Sequence, residues 1–362
     1  MKNSFGDVLT VTLFGESHGA AVGAVLDGVA PGIPVDEEFV ARQLSLRRPS
    51  GAISTARQEK DAFKIISGVS GGYTCGTPIC IVIENSDTKS EDYKVFENLP
   101  RPSHADFTAR VKYHGFENAA GGGHTSGRIT APLVAAAAII LPALIKKGIF
   151  IGTHIKSIGS AIDREFDNYE DDIACLSGMS FAALDNNAAE KMHNEIMLVA
   201  KEGDSIGGTL ETAVIGMPAG VGEPWFDTVE SKISHALFSV PAVKGVEFGA
   251  GFKFGLMRGS EANDCFAVKD GKVITSTNNS GGVLGGITSG MPIVFRTALK
   301  PTPSISKPQK TIDMRTLEAA EITAKGRHDP CIVHRARVVV DSVVALTVAD
   351  MLSLRYGTDW LA

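Results

Sequence analysis

Cysteine is scarce in this sequence, and no two cysteines stand as Cys-x-x-Cys. The five present, Cys75, Cys80, Cys175, Cys265 and Cys331, make an odd count. That argues against a disulfide framework and for a reduced, cytoplasmic protein. An excess of positive charge is also missing: 35 Lys and Arg face 41 Asp and Glu, a net charge of −6. A global basic field for nucleic acid is thereby excluded, though a local basic pocket is not. The opening stretch MKNSFGDVLTVTLFGESHG holds no apolar signal core. The longest apolar run, Ile129 to Ile145, contains Pro132 and Pro142 and is closed by Lys146 and Lys147. At about 17 residues it is marginal for a bilayer span, so a buried core helix is expected and no membrane partner. Aromatics are few, at 7%.

Glycine is plentiful instead, with 39 residues in clusters. Clustering points to tight backbone approaches rather than a flexible linker. With 44% hydrophobic residues the chain has material for a sizeable core. VLTVTLFG, PICIVIEN, FIGTHIKSIGSAI and GTLETAVIGMP read as strands. PVDEEFVARQLSLRR reads as a helix with Asp36 as N-cap. TAPLVAAAAIILPALIKKG, NAAEKMHNEIMLVAKEGD, DTVESKISHALFSV and a long C-terminal segment also read as helices. Residues 163–185 look acidic and irregular, a surface insertion. Strands and helices alternate in no strict order, so an α+β fold or βαβ sandwich suits better than a doubly wound sheet.

One internal echo stands out. Both GESHGAAVGAVLDGVAPGIP, from Gly15, and GDSIGGTLETAVIGMPAGVG, from Gly203, begin Gly-acid-Ser-x-Gly and continue into an apolar run. Two readings are open: duplication of a βαβ-type half, or two similar loop–strand units by chance. No linker separates the copies, which predicts one compact domain, residues 1–362, with pseudo-symmetric halves.

Five clusters carry candidate chemistry. GESHG places Glu16, Ser17 and His18 on a glycine-flanked loop, with His18 a proton-transfer candidate or a structural hydrogen-bonder. No nucleophile elbow accompanies the serine. RPSHADFTAR holds Arg101, His104, Asp106 and Arg110. The ten-residue spacing of His104, His114 and His124 does not match zinc ligation, and no metal is expected. GGGHTSGR, ahead of a helix, suits an anion at a helix N-terminus, helped by Arg128. On spacing alone it equally suits an N-cap at Thr125 or Ser126. In NNSGGVLGGITSGMPIVFRTALKPTPSI, Lys300, Thr302 and Ser304 are candidate phosphate ligands, or the segment is a bulged turn. KGRHDPCIVHRAR packs Arg327, His328, Asp329, His334, Arg335 and Arg337 together, either as an anion fork with an ionised Asp329 or as a solvated helix start. The theme is a concentrated anion pocket inside an acidic chain.

Taken in order, FGESHG, DGVAPGIP, RRP, ISGV, GTPI, RPSHADF, GGGHTSGR, EGDSIGG, AVKGVEFGAGF, NNSGGVLGGITSG, ALKPTPSI and KGRHDPC resemble the chorismate synthase family over nearly the whole chain. The resemblance implies a βαβ sandwich with a pseudo-twofold axis and a homotetramer. It implies conversion of 5-enolpyruvylshikimate 3-phosphate to chorismate and phosphate, a 1,4-anti elimination on reduced FMN without net redox change. By motif, His18 would lie near the flavin, His104 would deliver a proton to the departing phosphate, and Asp329 would relay the substrate proton through flavin N5. FMN contacts would be His124, Thr125, Ser126, Ala242, Gly285, Lys300, Pro301, Thr302, Pro303, Ser304 and Arg327. Substrate contacts would be Ser17, Arg47, Arg48, Arg101, Arg128 and Arg335. With no further domain for flavin reduction, an external reductant fed by NADPH is expected. The family's glycine loop commonly reads Arg-Ser-Ser-Ala-Arg-Glu; here His124 replaces the first arginine and Arg128 keeps the second. Pro241 stands where asparagine is usual. An arginine often found after Arg48 is missing from PSGAISTARQEK.

Overall fold

The computed structural model describes residues 2–49, 51, 53–54, 60–86, 95–324 and 329–362. In the first half, β1 (Thr10–Gly15) and β2 (Ala21–Asp27) are followed by α1 (Glu37–Arg47), β3 (Phe63–Ser67) and β4 (Ile79–Glu84). A short helix α2 (Asp106–Lys112) precedes α3 (Thr130–Lys146). The second half runs β5 (Phe150–Ile158), α4 (Tyr169–Leu176), α5 (Asn186–Lys201), β6 (Gly208–Ile215), α6 (Val229–Ser239), β7 (Val243–Phe248), β8 (Ile293–Leu299) and α7 (Val333–Tyr356).

Local chemistry explains these boundaries. Asp36 accepts the N–H of Phe39 at 2.8 Å, and Glu37, Glu38 and Arg47 complement the dipole of α1. In β4, Ile79, Ile81 and Ile83 alternate inward and are wholly buried. Thirteen of the 17 residues of α3 are buried, among them an unbroken run from Thr130 to Ile140. It is long and apolar enough to cross a membrane, yet it packs against α1, α7 and the first sheet. A core helix surrounded on all sides reads as apolar all round.

The two halves share one topology. The first sheet has the order β1-β2-β4-β3, extended by Ser4–Phe5; the second has β5-β6-β8-β7, extended by Ala161–Ile162. Every pairing in both is antiparallel. Leaving aside α2 in the first half and α4 and α5 in the second, each half runs strand, strand, helix, strand, strand, helix. Helices α3 and α7 pack on each other between the sheets, giving the expected sandwich. The sequence echo leads into β2 and β6, the middle strand of each sheet. Each echo loop also grips the segment that leaves the fourth strand of its own half. Asn85 Nδ2 donates to the carbonyls of Glu16 and Gly19, both at 2.9 Å. In the second half Ser205 Oγ donates to the Thr302 carbonyl at 2.7 Å and Ser306 N–H to Gly203 at 2.9 Å. Duplication therefore accounts for the echo better than chance.

One expectation fails. The 163–185 segment is ordered around α4, whose N-cap Asn168 accepts the N–H groups of Glu170 and Asp171. The acidity that suggested a loop is the favourable charge of a first helical turn, and Asp172 there is buried against Arg164.

Candidate active site

The loop that leads into α3 owes its glycines to two histidines. Gly121, Gly122 and Gly123 have φ of 62°, 82° and 52°, a region that disfavours other residues. A Cβ on Gly121 would lie 2.0 Å from His18 Nδ1, and one on Gly122 would lie 3.4 Å from His104 Cε1. His18 and His104 therefore rest on adjacent glycines. The third glycine gives clearance to the Asn118 carbonyl, 2.0 Å from its would-be Cβ. The loop is tied to β1 and the residues after it by Ser17 N–H on the Gly123 carbonyl, 3.1 Å, and by His124 Nδ1 on the Gly15 carbonyl, 2.8 Å. A carbonyl only accepts, so His124 Nδ1 carries the proton. Thr125 Oγ1 donates to the Gly122 carbonyl, and Ser126 accepts the Arg128 N–H as a cap. The cap and the glycine loop are thus one structure.

Three arginines meet where this loop enters α3. Arg128 donates to Asp61, to Asn85 Oδ1 at 2.9 Å and to the Glu84 backbone carbonyl at 3.3 Å. Arg47 donates to the other oxygen of Asp61 at 2.9 Å. Arg335 donates to the Arg47 carbonyl at 2.9 Å and to Asp329 at 2.6 Å. Burial pulls the Arg47 pKa down and Asp61 pushes it up, with Arg335 and Arg128 adding to the lowering. Burial raises Asp61, but Arg47 and Arg128 outweigh it and hold the carboxyl below its usual range. Asp61 has φ of +49°, an uncommon conformation for a non-glycine residue. The 329–337 region is no solvated helix start: His334 and Arg337 are buried, and Arg337 is bound to Asp341 and the Met179 carbonyl. Arg48, by contrast, caps α1 at the edge of the cluster and reaches the Lys60 carbonyl at 3.4 Å.

Arg101 organises a second group. Its fork binds Asp106, its remaining terminal nitrogen reaches Ser304 Oγ at 3.1 Å, and its plane lies 4.5 Å above the Phe96 ring. Lys300 Nζ donates to the Ser103 carbonyl, and Lys300 N–H to the Ala242 carbonyl at 2.9 Å. Ser103 and Ala242 both have positive φ, at 59° and 74°. Such strain persists only where its surroundings over-determine it, as at binding sites. Pro301 lies against Gly207, and the Pro303 carbonyl accepts from Gln309 at 3.4 Å. Gly285 sits in a hairpin anchored by Val229 N–H on the Gly286 carbonyl. Arg327 and His328 lie outside the described residues.

A cavity of about 360 Å³ borders the loop at Gly122, His124 and Thr125. Glu16, Glu97, Asp106 and Glu117 line it, and among the described residues no arginine or lysine does, so it is a poor phosphate site. The cationic groups above are the better one. Among the described residues no His, Cys, Asp or Glu cluster is arranged for a metal.

The family model for chorismate synthase matches residues 9–353. The chain belongs to the chorismate synthase family. It is 48% identical over 350 residues to the chorismate synthase of Pyrococcus abyssi, covering 97% of each chain. It is 46% identical to that of Korarchaeum cryptofilum, over 97% of this chain and 98% of that one. A crystal structure of a chorismate synthase superposes with a TM-score of 0.77 at 29% identity, covering 98% of this chain and 94% of the other. Chorismate synthase activity assigns the chain to the shikimate pathway as a lyase acting on a phosphate-containing substrate.

Of the carboxylates in this candidate site, one escaped the sequence reading and one was named there without a role. Asp61 has no motif, and its partners are 14 and 67 residues away. Asp106 stood inside RPSHADF without a role, although a carboxylate two residues from a histidine was a visible signal.

Proposed function

We propose that the chain eliminates phosphate from 5-enolpyruvylshikimate 3-phosphate in a 1,4-anti sense to give chorismate, in a reaction that needs reduced FMN and leaves no net redox change. The seating of His18 and His104 on adjacent glycines of a loop that ends in Arg128 carries this reading. Eliminating phosphate requires neutralising a departing anion and removing a weakly acidic proton. Three guanidiniums, of Arg47, Arg128 and Arg335, face two carboxylates, of Asp61 and Asp329. That leaves positive charge for the substrate's phosphate and carboxylates. His104 donates a proton to the leaving oxygen, and His18 serves the cofactor side. Asp329, bound to Arg335, acts as the base.

The chain's groups fit the two ligands. Ser17 Oγ and Thr302 Oγ1 are buried and make no hydrogen bond among the described residues. Such orphans are costly unless a ligand satisfies them. One lies in the candidate substrate set, the other in the candidate cofactor segment. His124, Thr125, Ser126, Ala242, Lys300, Pro301, Thr302, Pro303 and Ser304, with Gly285 and Arg327, would hold the flavin. Ser17, Arg47, Arg48, Arg101, Arg128 and Arg335 would hold the substrate. Reduced flavin supplies electron density that lowers the barrier to losing phosphate.

We further propose a single-domain chain that assembles as a homotetramer in the cytoplasm and takes its reduced flavin from an external, NADPH-fed reductant. Phe252, Leu256, Phe266, Val268 and Val273 are all exposed within the 252–273 stretch of the second half, and large apolar side chains left in water suit a subunit interface. The test is phosphate release from the shikimate derivative under anaerobic conditions with FMN reduced or oxidised. Release only with reduced FMN is expected; none with either form would refute the proposal.

A further inference from the structure

We propose that Asp106 is the positioning residue for His104, holding its imidazole with Nδ1 protonated and Nε2 presented to the reacting oxygen. This rests on the reading of His104 as the proton donor. Asp106 opens α2, and its Oδ1 lies 2.6 Å from His104 Nδ1. The same carboxylate accepts Arg101 Nη2 and Nε, both at 2.8 Å, and the Arg101 backbone N–H at 2.9 Å. A carboxylate only accepts, so the proton between the two side chains belongs to His104 Nδ1. Arg101 Nη2 also approaches Nδ1 at 3.1 Å, but guanidinium nitrogens only donate, so that contact is not a hydrogen bond once Nδ1 is protonated.

The opposite edge of the ring faces the glycine loop. A Cβ on Gly122 would stand 3.4 Å from Cε1 and 3.7 Å from Nε2. Glycine there leaves Nε2 uncovered. The carboxylate is itself fixed: Asp106 and Arg101 are 9% and 5% exposed at the side chain, and Ser304 takes the last arm of the fork. Burial opposes the Asp106 charge, but Arg101 and His104 hold its carboxyl well below the usual range. Lys300 is also tied to this segment, on the Ser103 carbonyl, and Arg110 and Lys112 stand at the far end of α2. During elimination the C–O bond breaks and its electron pair leaves with the phosphate oxygen. That oxygen takes the Nε2 proton, and the ring is left neutral with Nδ1–H still on Asp106. Asp106 thus gives the charged ring a counterion and the neutral ring one tautomer.

Asp106→Asn tests this. The fork of Arg101 would claim the single carbonyl oxygen of the amide and turn its NH₂ toward His104, reversing the tautomer. We expect kcat to fall by about 100-fold, the low end of what a positioned proton donor contributes, with little change in KM. Asp106→Glu should recover part of the loss. In an Asp106→Asn/His104→Ala double variant the asparagine should cost nothing further. The second readout is ¹⁵N NMR of histidine-labelled apoprotein, with the His104 signals identified by their loss in His104→Ala. They should report Nδ1–H in the native protein and Nε2–H in Asp106→Asn. A native Nε2–H tautomer overturns the proposal, even if the variants do not fold. So does full activity of Asp106→Asn, or an equal cost of the substitution with and without His104. Full activity of His104→Ala would instead overturn the proton-donor reading, which separates the two failures.

Discussion

Gly121→Ala isolates the contact on which the site is built. The added Cβ would stand 2.0 Å from His18 Nδ1 and 2.1 Å from Cε1, where ordinary contact begins at 3.4 Å. The ring must therefore retreat by about 1.4 Å, and a misplacement of about 1 Å costs on the order of 100-fold in rate. The substitution also carries a backbone cost, because φ is +62°. That cost is about 1–2 kcal/mol for a left-handed alanine. Gly122→Ala is the control. It carries the same backbone penalty at φ of +82°, but its Cβ meets His104 only at 3.4 Å. Urea unfolding should show both variants losing about 1–2 kcal/mol. Anaerobic phosphate release with reduced FMN should show a kcat lower by about 100-fold in Gly121→Ala, and by only a few-fold in Gly122→Ala. Equal kcat in the two variants would refute the claim that the glycine serves His18.

Three other perturbations have defined outcomes. Asp350 is wholly buried and accepts the N–H groups of Asp7, Val8 and Leu9 at 3.1, 2.8 and 3.0 Å, with Lys232 at 3.3 Å. Asp350→Ala should destabilise by about 3–5 kcal/mol in urea unfolding, because it strands three backbone donors and leaves the buried Lys232 with Asp7 as its carboxylate partner, while activity per folded molecule is kept. His154 lies between Asp163 and Glu211, each at 3.0 Å; burial works against its charge, but the two carboxylates outweigh it and raise its pKa. A raised folded pKa means stability present below the unfolded value of about 6.5 and lost as pH climbs through the folded value. The urea midpoint should fall across that window, and His154→Gln should remove the slope. Arg128→Lys cannot reproduce the fork to Asp61, Asn85 and Glu84, so KM for the phosphorylated substrate should rise about tenfold or more; an unchanged KM would remove Arg128 from the anion site.

The fold was legible where local signals and long-range packing agree. Asp36 capped the helix it was expected to cap, and the lysines and glycine after Ile145 ended α3. The Gly-acid-Ser-x-Gly echo anticipated two sheets of one topology, because the same loop must turn into a middle strand and clasp the chain leaving the fourth. Helix α4 was missed because aspartates in a first turn resemble a solvated loop until Asn168 is seen capping them. In the site, the histidines and arginines stood in motifs, as did Asp106 and Asp329, but Asp61 did not. Nothing in the stretch around Asp61 announces a left-handed residue gripping Arg47 and Arg128, since both contacts close only after β3 and α3 are in place. The glycine triplet was recognised as permissive, yet what it makes room for was visible only in three dimensions.

The most direct test of an elimination that borrows electrons and returns them is the fate of the flavin. With a limiting amount of reduced FMN under anaerobic conditions, phosphate and chorismate should form in equal amounts over many turnovers, and the flavin spectrum at the end should still be that of the reduced form. Flavin oxidised in proportion to product would contradict the account and make the chain an oxidoreductase.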